Sequence, residues 1–267
     1  MPQIKDVIKK WYKALGFPKE YDNEFYRAIE EINAVVDITL EQYDKSCNDG
    51  IKNLIYFLYY CEKTAKYYKQ KHIPNEILVD TLKDIVTWTI EWSDIKGSLY
   101  LGELLWLTRH LSGRLFKIGR LQFCIAGAEQ DILKYGLKKG DNVIEIHIPK
   151  GGKLDKQEVQ ESIENAKIFF EKYFEEYSYD YFICHSWLLD ESLKKYLSQD
   201  SNILKFGDMF DKISADKSNA IIRYLFRWDT NEENLLQAVS TSNFASKIQK
   251  AVLDGEQFYE TLGVIKK

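Results

Sequence analysis

Apolar residues in the first part of the chain recur every three or four positions. The pattern begins at Ile4, pauses at Gly16 and continues in further segments up to Leu111. This is the period of an amphipathic helix, and no segment in this part alternates as a strand would. We therefore expect residues 1–113 to form a bundle of about five helices.

The hydrophobic period changes near Gly113. Residues 114–126 alternate between apolar and polar side chains, and so do residues 141–148. Alternation with period two is typical of half-buried strands, and the glycine-bearing segment at 135–140 predicts a turn between them. We expect an antiparallel pair, a domain boundary near Gly113 and a second domain over residues 114–267.

The most informative pattern covers residues 141–187. A strand ends at Pro149, two glycines follow, and a long amphipathic helix starts after Asp155, which predicts a helix N-cap. Residues 181–187 then form a second apolar strand. A strand, a crossover helix and another strand imply parallel pairing with right-handed connection.

Four further elements are expected after this unit. We predict a short helix over residues 190–197, strands over residues 202–206 and 220–228, and a helix over residues 231–253. The predicted fold class is α+β, with an N-terminal helical bundle followed by a mixed β-sheet domain flanked by helices.

The turn at residues 150–154 is a candidate anion site. Backbone amides of Gly151, Gly152 and Lys153 lie before a helix N-terminus, where the helix dipole is positive. Lys150 and Lys153 add positive charge. The alternative is a solvated loop whose glycines serve only the backbone geometry.

Glu145 and His147 are candidate general bases. They lie two positions apart on one strand, so both side chains point to the same face. Either group can take a proton from an attacking amine. The alternative is a structural role, with Glu145 in a salt bridge to a lysine and His147 as a hydrogen-bonded core histidine.

Cys184 is a candidate nucleophile, because cysteine thiolates attack acyl groups. Its neighbour His185 points to the opposite face of the strand and cannot activate it. His147 would meet Cys184 across the parallel pair if the registers match. The alternative is a buried, inert thiol.

Composition and charge exclude several classes of partner. The 267 residues carry a formal net charge of −4 and a sequence pI of about 5.7, so we expect no nucleic-acid partner. No apolar run reaches the ~20 residues of a membrane span, and the first residues do not form a signal peptide, so we expect a cytoplasmic protein without membrane contact. The four cysteines have no CxxC spacing, which predicts neither disulfides nor a metal site.

Four segments resemble a known family. They are Ile118-Gly-Arg-Leu-Gln-Phe123, Ile146-His-Ile-Pro149, Cys184-His-Ser-Trp-Leu-Leu189 and Ser201-Asn-Ile203. With the order of elements, these segments resemble the GCN5-related N-acetyltransferase (GNAT) superfamily. They are most similar to bacterial acyltransferase-domain proteins that have a helical N-terminal domain before a GNAT-like domain.

The resemblance implies acetyl-CoA or another acyl-CoA as co-substrate and no metal. Pantetheine would lie between residues 144–148 and 182–186, and pyrophosphate would lie on the turn at 150–154. The resemblance also gives Tyr196 the role of protonating the departing CoA thiolate. The implied CoA contacts are Ile146, Ile148, Lys150, Gly151, Gly152, Lys153 and Cys184.

These observations predict an acyl-CoA-dependent N-acyltransferase. The acceptor, a small-molecule amine or a peptide, would attack the thioester directly after Glu145 or His147 removes its proton. One alternative is a non-catalytic GNAT-like scaffold whose helical domain binds a protein or small ligand. It is favoured by the sequence Pro149-Lys-Gly-Gly-Lys153 in place of the superfamily's usual Gly-x-Gly or Gly-x-Ala. The oligomeric state, including a homodimer, stays open.

Overall fold

A computed structural model describes residues 4–32 and 39–267 of the chain. Residues 1–3 and 33–38, which fall within the predicted bundle, lie outside the described residues. The chain forms two compact units, Met1–Lys117 and Ile118–Lys267. No helix in the described ranges combines the length and hydropathy that crossing a bilayer requires.

The first unit is helical. Its described residues contain no strand before Leu115, so the predicted helical organisation is confirmed. The described residues of this unit form six α-helices where the sequence predicted about five, and two of the six, at Asn75–Leu82 and Asp84–Lys96, are separated only at Lys83. The helices are α1 (Ile4–Leu15), α2 (Asp22–Glu31), α3 (Gly50–Gln70), α4 (Asn75–Leu82), α5 (Asp84–Lys96) and α6 (Leu104–Leu111), with a 3₁₀ helix at Lys19–Tyr21.

Helix α3 forms the centre of this unit. Residues 53–58 are all buried, which means that every side of the helix is covered over that stretch. At the start of α5, the buried carboxylate of Asp84 lies 3.0 Å from Nε2 of His110 and accepts a hydrogen bond of 2.9 Å from Trp106. The interior of the unit therefore combines apolar packing with buried polar contacts.

A mixed sheet in the order β1-β2-β3-β4-β6-β5 begins at Leu115, and its strands β2 to β6 lie in the second unit. Strands β2 and β3 pair antiparallel, β3 and β4 pair parallel, and β6 is antiparallel to both β4 and β5. The predicted α+β class is therefore confirmed. The strands are β1 (Leu115–Ile118), β2 (Leu121–Gly127), β3 (Asn142–His147), β4 (Tyr181–Ser186), β5 (Asp211–Lys217) and β6 (Tyr259–Lys266).

Helix α7 (Lys156–Tyr173) connects β3 to β4, as the sequence pattern predicts. Its Ser162 joins it to the β1–β2 hairpin, since the hydroxyl accepts from the amide of Leu121 at 3.1 Å and donates to the carbonyl of Ile118. The remaining helices are α8 (Asn202–Gly207), α9 (Ala220–Leu225) and α10 (Asn243–Leu253), with 3₁₀ helices at Leu133–Tyr135, Trp187–Leu189, Glu191–Lys195 and Leu235–Gln237.

The strands predicted over residues 202–206 and 220–228 are wrong, because these segments form α8 and α9. Short apolar runs suit a buried helix as well as a strand. The hydroxyl of Ser201 accepts from the amide of Ile203 at 3.2 Å and so caps a helix there. The helix predicted over residues 231–253 is also too long, since α10 begins at Asn243.

Strands β5 and β6 were not predicted from the sequence. Strand β5 lies at the edge of the sheet and its residues are half-buried or exposed, so it lacks an apolar pattern. Strand β6 contains Gly263, where an added Cβ would come within 2.7 Å of Phe210 and 2.8 Å of Leu189. This glycine reads as a strand breaker in the sequence, yet it is required for close packing.

Candidate active site

Strands β3 and β4 separate after a short parallel contact. They pair only at two positions, Ile144 with Phe182 and Glu145 with Ile183. Beyond this point β3 continues to pair with β2, and β4 continues to pair with β6. The two central strands thus diverge towards their carboxyl ends and offer backbone donors and acceptors to an extended ligand.

Glu145 and His147 contact each other beside this divergence. Nε2 of His147 lies 3.2 Å from a carboxylate oxygen of Glu145, and the side chains are 27% and 14% exposed respectively. A carboxylate that accepts a hydrogen bond from an imidazole nitrogen orients the ring and stabilises its protonated form. The structure therefore brings the two sequence-predicted bases together as a pair.

The neighbouring strand adds two polar residues to the same face. In the antiparallel register of β2 and β3, Cys124 lies opposite Glu145, and Gln122 lies opposite His147. Cys124 and Gln122 are both 1% exposed. The sequence analysis missed them because the strand pattern predicts pairing without specifying its register.

Cys184 is not brought together with His147. Since Ile183 is aligned with Glu145, alternation along β4 directs Cys184 to the opposite face of the sheet. Burial, with a smaller contribution from the charge of Glu145, raises the pKa of the Cys184 thiol. A buried thiol with a raised pKa stays protonated and is a poor nucleophile.

Arg120 supports the glycine turn after β3. Its guanidinium donates to the carbonyls of Lys153 at 2.8 Å, Pro149 at 3.2 Å and Gly152 at 3.2 Å. Burial lowers the pKa of Arg120, and Glu158 opposes this effect, but a guanidinium remains charged at neutral pH. The sequence analysis missed this residue because it assigned residues 114–126 to one strand, whereas the structure turns at residues 119–120 between β1 and β2.

The turn presents free amides. Within the described part of the chain, the backbone amides of Gly151, Gly152 and Lys153 donate no hydrogen bond, while the turn's carbonyls are held by Arg120. The side chains of Lys150 and Lys153 are exposed. Amides with nearby cations form the type of cradle that holds a phosphate.

Both glycines of the turn adopt left-handed backbone conformations, with φ of 86° at Gly151 and 72° at Gly152. A β-carbon is disfavoured at such angles, so the glycines serve the backbone as well as any ligand. The predicted N-cap at Asp155 is confirmed, since its carboxylate accepts from the amides of Gln157 at 2.9 Å and Glu158 at 3.4 Å. The candidate anion site is therefore limited to the turn, because Asp155 occupies the amides at the helix terminus.

Tyr196 lies in a separate group of contacts. Its hydroxyl donates to Glu256 at 2.5 Å and its ring lies 5.8 Å from that of Phe258. Burial and the hydrogen bond to Glu256 raise the pKa of Tyr196 to about 12. Within the described residues it forms no hydrogen bond to Glu145 or His147, so the structure does not join it to the basic pair.

Comparison with known proteins extends these observations. Residues 115–265 match the family described as the GNAT-like C-terminal domain, and residues 2–113 match the N-acyltransferase N-terminal domain. No curated protein sequence is significantly similar to the chain.

Several solved acyltransferases have a similar fold. One, in complex with CoA and 10C-teicoplanin, is 23% identical with a TM-score of 0.71, and the match covers 80% of this chain and 66% of that chain. Another, in complex with decanoyl-CoA, is 25% identical with a TM-score of 0.70, covering 80% and 65%. The present chain thus spans slightly less than two thirds of each of these two proteins.

A third acyltransferase, in complex with decanoyl-CoA and teicoplanin, is 20% identical with a TM-score of 0.77, and the match covers 98% of this chain and 88% of that chain. Its similarity extends over the helical and the mixed unit. The chain therefore belongs to the N-acyltransferases in which a helical N-terminal domain precedes a GNAT-like C-terminal domain.

Proposed function

We propose that the protein transfers an acyl group from acyl-CoA to an amine by direct attack. The observation that carries the proposal is the divergence of β3 and β4 next to a turn with unused amides. Pantetheine is an extended chain with two amides, which suits the diverging strand edges, and its pyrophosphate suits the turn. The similar acyltransferases were solved with CoA, octanoyl-CoA and decanoyl-CoA.

In this proposal the thioester lies beside residues 146–148, at the end of β3, and residues 184–186 of β4. Ile146, Ile148 and Cys184 then contact pantetheine as apolar side chains. The amides of Gly151, Gly152 and Lys153 donate to the pyrophosphate, and Lys150 and Lys153 neutralise its charge. Arg120 acts indirectly, because it holds the carbonyls of the turn away from the anion.

The chemistry assigned to the basic pair is proton removal. His147, oriented by Glu145 at 3.2 Å, accepts a proton from the acceptor amine as the nitrogen attacks the thioester carbonyl. The carbon–sulfur bond then breaks and CoA leaves as a thiolate. Tyr196, whose raised pKa of about 12 keeps it protonated at neutral pH, is the proposed proton donor to that thiolate.

The acceptor class is an amine on a small molecule or peptide. Two similar acyltransferases were solved with teicoplanin or its 10C derivative, and this supports a peptide-like acceptor. The proposal assigns residues 114–267 to catalysis and residues 1–113 to a helical domain that contributes no catalytic group. We also propose that the protein is cytoplasmic, bacterial and able to form a homodimer. Its four free thiols support the cytoplasmic location.

A non-catalytic scaffold is the second candidate, because the superfamily's usual glycine motif is replaced by Pro149-Lys-Gly-Gly-Lys153. The two candidates differ in whether bound acyl-CoA is consumed. Isothermal titration with CoA, acetyl-CoA, octanoyl-CoA and decanoyl-CoA measures binding, and a thiol reagent measures CoA release in the presence of an amine panel that includes a glycopeptide amine.

We expect micromolar binding of at least one acyl-CoA and amine-dependent release of CoA. His147→Ala should lower kcat by about 10²–10⁴-fold, the range for loss of a general base. His72→Ala, at an exposed histidine of the helical unit, is the matched control and should keep the rate. Acyl-CoA binding without turnover for any amine would favour the scaffold, and an active His147→Ala variant would remove the base assignment.

A further inference from the structure

We propose that Cys124, Glu145 and His147 form a binding site for a single Zn²⁺ ion on the sheet face beside the diverging strands. One potential ligand atom from each residue lies within 4.8 Å of the other two. The sequence offers no metal motif here, because the cysteine and the Glu-x-His pair lie on different strands, with Cys124 21 positions before Glu145.

The sheet register holds these three residues together. Cys124 lies directly opposite Glu145 in the antiparallel pair, and His147 is two positions further along the same face. Directly opposed residues in a sheet have β-carbons about 4.5–5.5 Å apart, so the thiol and the carboxylate share one small volume. The arrangement is therefore built by two rigid strands and not by flexible surface side chains.

The separations suit tetrahedral zinc. Typical Zn–S and Zn–N bond lengths of about 2.3 and 2.0 Å imply that adjacent ligand atoms lie roughly 3.3–3.6 Å apart. Nε2 of His147 and the nearer oxygen of Glu145 are already 3.2 Å apart. The Cys124 sulfur lies within 4.8 Å of one potential ligand atom of each of the other two residues.

The donor chemistry points to zinc rather than to Mg²⁺ or Ca²⁺. A thiolate and an imidazole are ligands that borderline metals prefer, whereas Mg²⁺ and Ca²⁺ prefer oxygen. Three protein ligands leave a fourth tetrahedral position open, as in zinc sites that exchange ligands. The thiolate and the carboxylate together carry two negative charges, which one divalent ion neutralises.

Burial also fits a cation held by both anions. Cys124 is 1% exposed, so its thiolate would be costly to form without a positive partner. Glu145 and His147 remain partly exposed, which gives an ion access to the site from the open side. Cys184 lies on the opposite face and is not a ligand in this arrangement.

Zinc at this site would inhibit acyl transfer, because it takes the carboxylate and imidazole assigned to proton removal. This consequence rests on the proposed function, whereas metal binding by the cluster does not. Inhibition should be reversed by EDTA. Binding and catalysis are therefore measured separately.

The binding experiment uses the full-length, metal-free chain with Zn²⁺, Co²⁺ and Mg²⁺. We expect one Zn²⁺ per chain by competition with a chromophoric chelator, and a Co²⁺–thiolate charge-transfer band in the near ultraviolet. Cys124→Ser should lose the band and weaken Zn²⁺ binding about 100-fold or more, since even outer-shell substitutions cost 10–100-fold. Cys184→Ser, at an equally buried cysteine of β4 on the opposite face of the sheet, should keep both.

Retention of the Co²⁺ band in Cys124→Ser would overturn the proposal, as would absence of Zn²⁺ binding at micromolar concentrations or equal affinity for Mg²⁺. In the transfer assay, Zn²⁺ should inhibit the unmodified chain, and the remaining rate of Cys124→Ser should no longer respond to Zn²⁺. If the protein shows no transferase activity at all, the metal measurements still decide whether the site exists. Activation by stoichiometric Zn²⁺ would refute the inhibitory role.

Discussion

Replacing Gly151 by alanine separates the two functions of the turn after β3, its backbone geometry and its proposed contact with pyrophosphate. At φ of 86°, an alanine is strained by about 1–2 kcal/mol. An ideal β-carbon at this position meets no protein atom within 4 Å, so steric contact inside the protein adds nothing. The substitution therefore combines a defined strain with a methyl group on an open surface of the turn.

Gly140 supplies the matched control. Its φ is 93°, and a β-carbon there likewise meets nothing within 4 Å. It precedes the amino-terminal end of β3, whereas Gly151 follows the carboxyl-terminal end. Gly140→Ala should thus carry the same strain without approaching the proposed cofactor.

Both variants should have a melting temperature lower by roughly 2–8 °C. The strain is about 1–2 kcal/mol, and each kcal/mol lowers the melting temperature of a domain of this size by about 2–4 °C. Only Gly151→Ala should lose CoA affinity. A charge-assisted hydrogen bond contributes about 1.5–3 kcal/mol, so blocking one amide–phosphate contact should raise Kd by roughly 10- to 150-fold. Calorimetric titration with CoA and scanning calorimetry measure the two effects.

The reasoning fails in two recognisable ways. If Gly151→Ala binds CoA as tightly as the unmodified chain while melting lower, the turn does not hold the cofactor. If Gly140→Ala loses the same affinity as Gly151→Ala, the effect is a general consequence of strain. Either result would remove the pyrophosphate assignment and leave the two glycines with a purely conformational role.

Three further predictions follow from the structure. Arg120→Met should raise the Kd for CoA at least tenfold, because three carbonyls of the turn lose their hydrogen-bond donor. Titration calorimetry measures this Kd, and an unchanged affinity would show that the turn keeps its shape without Arg120. Gly263→Ala should destabilise the fold by at least about 1–3 kcal/mol in urea unfolding, since a β-carbon would overlap Phe210; an unchanged midpoint would contradict this packing. The hydrogen bond from Tyr196 is the largest cause of the lowered pKa of Glu256. This carboxylate therefore stabilises the fold above its unfolded pKa of about 4.3, and the contribution is lost as pH falls through its folded pKa. Glu256→Gln should make the melting temperature fall less steeply with acidification, and an unchanged pH dependence would exclude this linkage.

Local patterns in the sequence determined much of the architecture. The helical period of the first part, the alternation over residues 141–148 and the crossover helix after Asp155 are properties of neighbouring residues, so they are readable without a partner. The same holds for the glycine turn at 150–154 and for Glu145 and His147 on one face of a strand. Each of these features depends on contacts within a few positions along the chain.

Tertiary structure alone decided the remaining elements. Residues 202–206 are apolar enough for a strand, but they form a helix capped by Ser201. Strand β5 is a polar edge strand, and β6 contains Gly263, whose lack of a β-carbon lets Phe210 pack against the strand. In both strands the hydrogen-bonding partner, and not the local side-chain pattern, makes the segment extended.

The alignment of β2 with β3 likewise decided which residues lie together at the candidate site. A shift of one residue between β2 and β3 would direct Cys124 away from Glu145, and nothing in either strand's own sequence specifies that alignment. Arg120 reaches the turn at residues 149–153 only because the β1–β2 hairpin lies beside it in the folded sheet. The sequence alone therefore predicted the candidate basic pair and the candidate anion turn, whereas the groups that surround and support them come from chain segments that only folding brings together.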